Sequence, residues 1–321
     1  MTPLYPPFTI GVDLGGTNTV LAIVDSVGHI VAIDSFPTAT PDIGTWADIL
    51  AHKIKDMIRT SDLDGHIKGI GIGAPCANAV TGSIEAATDL PWPSPIPLAN
   101  MVQARLQLPT VVTNDANAAA IGEMTYGAAA GMKNFIVLTL GTGVGAGVVC
   151  DGHLLSGTRG FAGELGHVTF PFAADRPCGC GRSGCLQTVA SAKGILTTAR
   201  HLLSVSSEPS SLRGIPEEKL TAKDICEAAH AGDSLAKEIY EYTGHCLGKA
   251  AAEFAALTDP EAIIIFGGVA NAGDLLLPPM RDAFSKNALH LYRDRVRFLK
   301  SGLEGANAAV LGAASLPMMK R

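Results

Sequence analysis

Charge is scarce in this chain, and long apolar runs are missing altogether. Charged residues make up 17% of the 321 positions, the formal net charge is -6, and no run of Lys or Arg stands out. A polyanion is held by a dense basic face, so neither a nucleic acid nor an anionic membrane is an expected partner. The longest unbroken apolar runs, Val20 to Val24 and Ala262 to Phe266, hold five residues each, far short of the roughly 18 that a membrane-spanning helix needs. Met1-Thr2-Pro3-Leu4-Tyr5-Pro6-Pro7 has no basic n-region, apolar h-region or small-residue cleavage site. Disulfide arithmetic fails too. The seven cysteines are an odd set, three of them gathered at Cys178, Cys180 and Cys185. Without a secretion signal, that pattern favours metal binding and reduced thiols. A cytoplasmic protein is the expectation.

What is present is a hydrophobic fraction of 47%, with Gly 36 and Pro 19. This suits a compact, Gly-rich α/β enzyme and argues against disorder or a coiled coil. The length exceeds what one hydrophobic core usually accommodates, so two domains are expected. Phe8 to Asp13, Asn18 to Asp25 and Ile30 to Phe36 read as strands, the first two joined by a Gly turn. Trp46 to Ile58 has helical apolar spacing. Strand signals return at Ile67 to Gly73 and at Thr110 to Thr113, with helices over Leu98 to Leu108 and Ala116 to Ala130. Phe135 to Leu140, a Gly turn at 141–147 and Val148 to Cys150 then repeat the opening unit in outline. Leu154 to Cys185 is irregular. Helices at about 188–204 and 234–257, a buried strand Ala262 to Phe266 and a last helix from about Gly305 complete the reading. Two strand–turn–strand units imply two related halves facing one another.

Four segments carry chemistry. In Gly11-Val-Asp13-Leu-Gly15-Gly16-Thr17 the Gly pair lets backbone N–H groups approach phosphate oxygens, and Asp13 is placed to hold hydrated Mg²⁺. An ordinary hairpin with a capping Asp is the alternative. Gly141-Thr142-Gly143-Val144-Gly145-Ala146-Gly147 suggests a dinucleotide fingerprint, but strand and turn follow it where that motif requires a helix. Phosphate clamping suits it better, and no P-loop motif occurs. Asn114-Asp115 stands between a strand and a helix, where Asp115 serves either as an N-cap or as a general base. His167 with Cys178, Cys180 and Cys185 supplies the imidazole and three thiolates of a closed structural zinc site.

Together these segments resemble the ROK family (repressors, open reading frames and sugar kinases) of the actin and hexokinase superfamily. The resemblance runs from Gly11 to about Ala314. Its most specific portion is Gly163-Glu164-Leu-Gly166-His167 followed by Cys178-Gly-Cys180-Gly-Arg-Ser-Gly184-Cys185-Leu186. It implies two actin-like (ribonuclease H-like) α/β domains with a cleft between them. The expected division is 1–116 plus 305–321, and 117–304 carrying the zinc segment. It also implies an ATP-dependent sugar kinase of carbohydrate metabolism and glycolysis, active as a homodimer. By similarity, Asp13, Gly15, Gly16 and Thr17, with Gly141, Thr142, Gly143 and Gly145, match the two phosphate loops. Gly267 and Gly268 match the adenosine-contacting turn. Asp115 matches the catalytic base, while Asn114, Glu164 and His167 match sugar ligands, His167 sharing its ring between zinc and sugar.

Two departures bear on the sugar. Gln187 stands where the family usually has a sugar-binding Glu, and Asp89-Leu90-Pro91-Trp92 replaces the usual Asn-Leu-Pro loop. Glucose, phosphorylated at its 6-hydroxyl, is the first expectation, with N-acetylmannosamine, mannose, fructose and allose as alternatives. A ROK repressor would need an N-terminal DNA-binding segment, for which Asp13 stands too near the start. A non-catalytic sugar sensor and an actin-like filament ATPase are the remaining rivals.

Overall fold

The computed structural model describes residues 7–86, 90–303 and 307–319. Met1 to Pro6, Asp89 and the expected helix start near Gly305 lie outside the described residues. Contacts divide the chain into two units: the described parts of Met1–Gly131, Leu154–Ala162 and Gly302–Arg321, and then Met132–His153 with Gly163–Ser301. Each unit has its own hydrophobic core.

In the first unit, β1 (Phe8–Leu14), β2 (Asn18–Val24), β3 (Ile30–Pro37) and β4 (Ile67–Gly73) are followed by the short pair β5 (Ala77–Asn78) and β6 (Ser83–Ile84), and by β7 (Thr110–Thr113). The main sheet has the order β3-β2-β1-β4-β7. β1 to β3 form an antiparallel meander, and β4 and β7 run parallel to β1. Central β1 is buried along nearly its whole length, whereas edge strand β3 alternates and leaves Val31 and Ile33 exposed. That contrast follows from position, because only an interior strand is covered on both faces.

Helix α1 (Ile43–Thr60) buries Trp46, Leu50, Ile54 and Met57 on one stripe, and its Asp42 cap accepts from the Thr45 N–H at 2.8 Å. Helices α2 (Leu98–Leu106) and α3 (Asp115–Tyr126) follow. The expected helix to Ala130 stops at Tyr126, where Gly127 leaves helical geometry. The C-terminal helix α9 (Asn307–Ser315) lies directly on the sheet. A Cβ on Gly11 or Gly71 would come within 2.0 Å of the Val310 carbonyl or 1.8 Å of the Ala313 carbonyl. Only glycine in these strands admits the helix backbone so closely.

The second unit repeats the plan. Its strands β8 (Phe135–Leu140), β9 (Val144–Cys150), β10 (His153–Leu154), β11 (Ala262–Phe266) and β12 (Arg297–Lys300) are ordered β10-β9-β8-β11-β12. β8 and β9 are antiparallel, while β8, β11 and β12 are parallel. Helices α4 (Gln187–Ala190), α5 (Ala192–Val205), α6 (Ala222–His230), α7 (Ser234–Thr258) and α8 (Leu277–Asn287) surround this core.

The helix expected over 188–204 is two helices. Ser191 turns to extended geometry (φ -87°, ψ 168°) and caps α5 through the Gly194 N–H at 3.1 Å. A boundary at residue 116 falls within α3, whose packing against α9 and β4 keeps it with the first unit. No helix among the described residues is long and apolar enough to cross a membrane.

Candidate active site

In the first unit, chemistry gathers at the C-terminal edge of three parallel strands. Asp13 on β1 pairs with Gly73 on β4, and Gly73 pairs with Thr113 on β7. Asn114 and Asp115 follow at once. A side chain at Gly73 would press on Ala118 at 3.2 Å and Asp115 Cα at 3.8 Å, so this glycine lets α3 start close to the β1 edge. Strand ends of this kind are where α/β sheets bind ligands.

The helix cap is identified by backbone geometry. Asn114 is the N-cap of α3, its Oδ1 accepting from the Ala116 N–H at 2.9 Å. Asp115 is the first helical residue and remains open to solvent. Protein crowds its other sides, and the lost hydration pushes its carboxyl above the usual carboxylate range, against the lowering effect of its bond from the Ala116 N–H. Asp13 is lifted from 3.8 to about 6, first by lost hydration and then by the charge of Asp115. The charge of Asp115 thus reaches Asp13 across the strand ends.

The adjacent turn is firmly braced. Gly15 donates to the Asn18 carbonyl at 3.1 Å, leaving Gly16 and Thr17 exposed at the tip. Thr38 donates from its hydroxyl to the Gly15 carbonyl at 2.7 Å and from its N–H to the Thr17 carbonyl at 2.9 Å. Thr38 also bonds the Thr19 hydroxyl at 2.9 Å, which accepts from Trp46 Nε1 at 3.0 Å. Sequence reasoning missed this brace, because an isolated Thr after the edge strand carries no signal.

In the second unit, two Gly turns adjoin one another. Gly141 closes the β8–β9 turn on the Gly143 carbonyl at 3.0 Å, with Thr142, Gly143 and Gly145 in the same turn and strand. Gly267 and Gly268 follow parallel neighbour β11. At φ 99°, Gly267 sits where a Cβ would lie 2.6 Å from the Leu140 carbonyl. Both turns therefore present backbone at one sheet edge.

Glu164 is the N-cap position of a 3₁₀ turn over Leu165–His167, three residues before His167. Gly166 presses that turn onto β9: a Cβ there would be 2.0 Å from the Val144 carbonyl. The ligand atoms of His167, Cys178, Cys180 and Cys185 lie within 4.8 Å of one another. Cys178 Sγ is 3.7 Å from His167 Nδ1, and Cys180 Sγ is 3.6 Å from Cys185 Sγ. A disulfide would need about 2.05 Å. A tetrahedral ion bound at about 2.3 Å from sulfur and 2.0–2.1 Å from nitrogen separates its ligands by about 3.5–3.8 Å, so the set fits a metal.

The Arg182 N–H first of all draws Cys180 down to about 6, while burial foremost pushes Cys185 up to about 12. Arg182 also donates to the His167 carbonyl, a role sequence reasoning did not assign. Gln187 points inward: Nε2 donates to Cys178 Sγ at 3.1 Å and Oε1 accepts from the Val144 N–H at 3.5 Å.

A family model described as the ROK family matches residues 9–320. The chain belongs to the ROK family. The glucokinase of Halalkalibacterium halodurans is 40% identical, aligned over 96% of this chain and 94% of its own. A ROK family glucokinase from Streptomyces griseus, solved in complex with glucose and AMPPNP, is 32% identical with a TM-score of 0.78, covering 96% of this chain and 98% of that one. The xylose repressor of Caldicellulosiruptor bescii is 29% identical over 96% of this chain and 77% of its own. ROK membership accounts for the repeated sheet order, since each unit is one actin-like half.

Proposed function

We propose that this ROK protein is an ATP-dependent glucokinase that transfers the γ-phosphoryl group of ATP to the 6-hydroxyl of glucose. The observation that carries the reading is the division of labour at the start of α3. Asn114 caps the helix, so Asp115 keeps a solvent-facing carboxylate of raised pKa beside Asp13. Asp115 accepts the proton of the 6-hydroxyl, the oxygen forms its bond to the γ-phosphorus, and the bond to the β-phosphate oxygen breaks to release ADP.

Asp13 would hold Mg²⁺, which would neutralise charge on the phosphates. The Gly15–Thr17 and Gly141–Gly145 turns donate N–H groups to phosphate oxygens, and Gly267-Gly268 gives the adenosine a flat backbone surface. Asn114 keeps its amide NH₂ free to donate to a hexose hydroxyl, because only Oδ1 is used in the cap. Glu164 and the Nε2 of His167 meet further hydroxyls. Zinc is the ion for the His167, Cys178, Cys180 and Cys185 set. Bound there, it would fix the imidazole's direction and tautomer and pin an otherwise irregular segment.

A coupled ADP-release assay with Mg·ATP across glucose, mannose, fructose, allose and N-acetylmannosamine tests the reading. Glucose is expected to give the highest kcat/KM. Sugar binding without ADP release from any hexose would instead favour the sensing role of the repressor relatives.

A further inference from the structure

Gln187 stands at the first residue of the four-residue helix α4, two residues after the buried metal-ligand candidate Cys185. Its half-buried amide is held by both ends. Nε2 lies 3.1 Å from Cys178 Sγ, one of the four gathered ligand atoms. Oε1 lies 3.5 Å from the Val144 N–H, and a Cβ on Gly143 would come within 3.0 Å of it. Gly143 and Val144 are the end of the β8–β9 turn. The other limb of that turn is fastened too, since the Gly141 carbonyl accepts from the N–H of Ala192 at the start of α5 at 2.9 Å. One side chain thus spans from the thiolate cluster to the Gly turn.

We propose that Gln187 is a positioning residue that couples the metal cluster to the β8–β9 phosphate turn. The consequence for ATP rests on the kinase reading; the link to the metal does not. The amide is the chemistry required. A thiolate ligand accepts a hydrogen bond and is stabilised by one, and the turn N–H needs an acceptor; only an amide of this length offers both. A carboxylate of equal length could accept from Val144 but would meet Cys178 sulfur without a proton to give. The cluster then does more than pin a loop, because its geometry is transmitted to the backbone that holds phosphate.

Two variants separate the two bonds. Gln187→Glu keeps the acceptor and removes the donor; Gln187→Leu removes both. Zinc release from the purified protein to a chromogenic chelator is expected to accelerate about 10- to 100-fold in both variants, the usual scale for losing an outer-sphere partner. The thiolate-to-metal charge-transfer band of the cobalt-substituted protein is expected to shift in both. The KM for Mg·ATP is expected to rise several-fold in Gln187→Leu and to stay near wild type in Gln187→Glu, with the KM for glucose within about twofold of wild type in each. Unchanged zinc release and an unchanged cobalt spectrum in both variants would overturn the proposal. So would a rise confined to the KM for glucose, which would assign Gln187 to the sugar. Should the wild-type protein phosphorylate no hexose, the kinase reading falls, while the zinc and cobalt measurements still decide whether Gln187 braces the cluster.

Discussion

At Asp13, one proton links pH to both stability and activity. The folded protein holds it with a pKa of about 6, against 3.8 for a free carboxyl. The folded state therefore binds the proton more tightly than the unfolded chain, and this residue's contribution to stability falls as pH rises from about 4 to about 6. Removing the charge with Asp13→Asn should stabilise the nucleotide-free protein at pH 7 by up to about 3 kcal/mol, a gain that vanishes by about pH 4. Urea unfolding at the two pH values checks this. The same variant should lose productive Mg·ATP binding, and the wild-type kcat/KM for Mg·ATP should fall as pH drops below about 6. A variant no more stable than wild type at pH 7 would mean that Asp13 is not strained by burial.

At this scale the sequence was informative where residue types are rare in combination. His167 with Cys178, Cys180 and Cys185 could be read directly and the four are gathered. Asp115 could not be separated from a cap, because Asn114 and Asp115 are equally good caps and only backbone geometry shows that Asn114 takes the part.

Elements are fixed by how closely backbones approach. Gly71 on β4 has the Ala313 carbonyl where a Cβ would stand, 1.8 Å away, whereas Gly214 has nothing within 4 Å. Gly71→Ala should therefore destabilise the protein by about 1–3 kcal/mol or more by forcing α9 off the sheet, and Gly214→Ala should change stability by no more than about 0.5 kcal/mol. Chemical denaturation of the two variants side by side checks the contrast.

Strand–turn–strand units were legible from apolar runs and Gly pairs. The break at Ser191 was not, since the apolar periodicity continues through it and only the cap bond to Gly194 marks a new helix. β12 escaped notice as well. Arg297-Phe298-Leu299-Lys300 is charged at both ends, and it becomes a strand by pairing with β11 rather than by its own preference.

For the molecule as a whole, the repeated turn pointed to two related halves, while the strand order they share comes only from the structure. Sequence shows where α3 begins but not how far past residue 116 the first unit continues. The metal cluster gives a prediction at this scale. Purified protein should carry zinc in equimolar amount by elemental analysis. Stripping it with a chelator should lower the melting temperature and open 168–185 to proteolysis, because that segment has only short turns and isolated bridges of its own. An apo protein that melts as the holo form does would remove the structural role.

The central claim is that Asp115 is the base of a glucose-phosphorylating site. Its most direct test pairs turnover with glucose binding in Asp115→Asn. In that variant kcat is expected to fall about 10²- to 10⁴-fold while calorimetry still registers glucose binding within a few-fold of wild type. Turnover near the wild-type rate in that variant would contradict it.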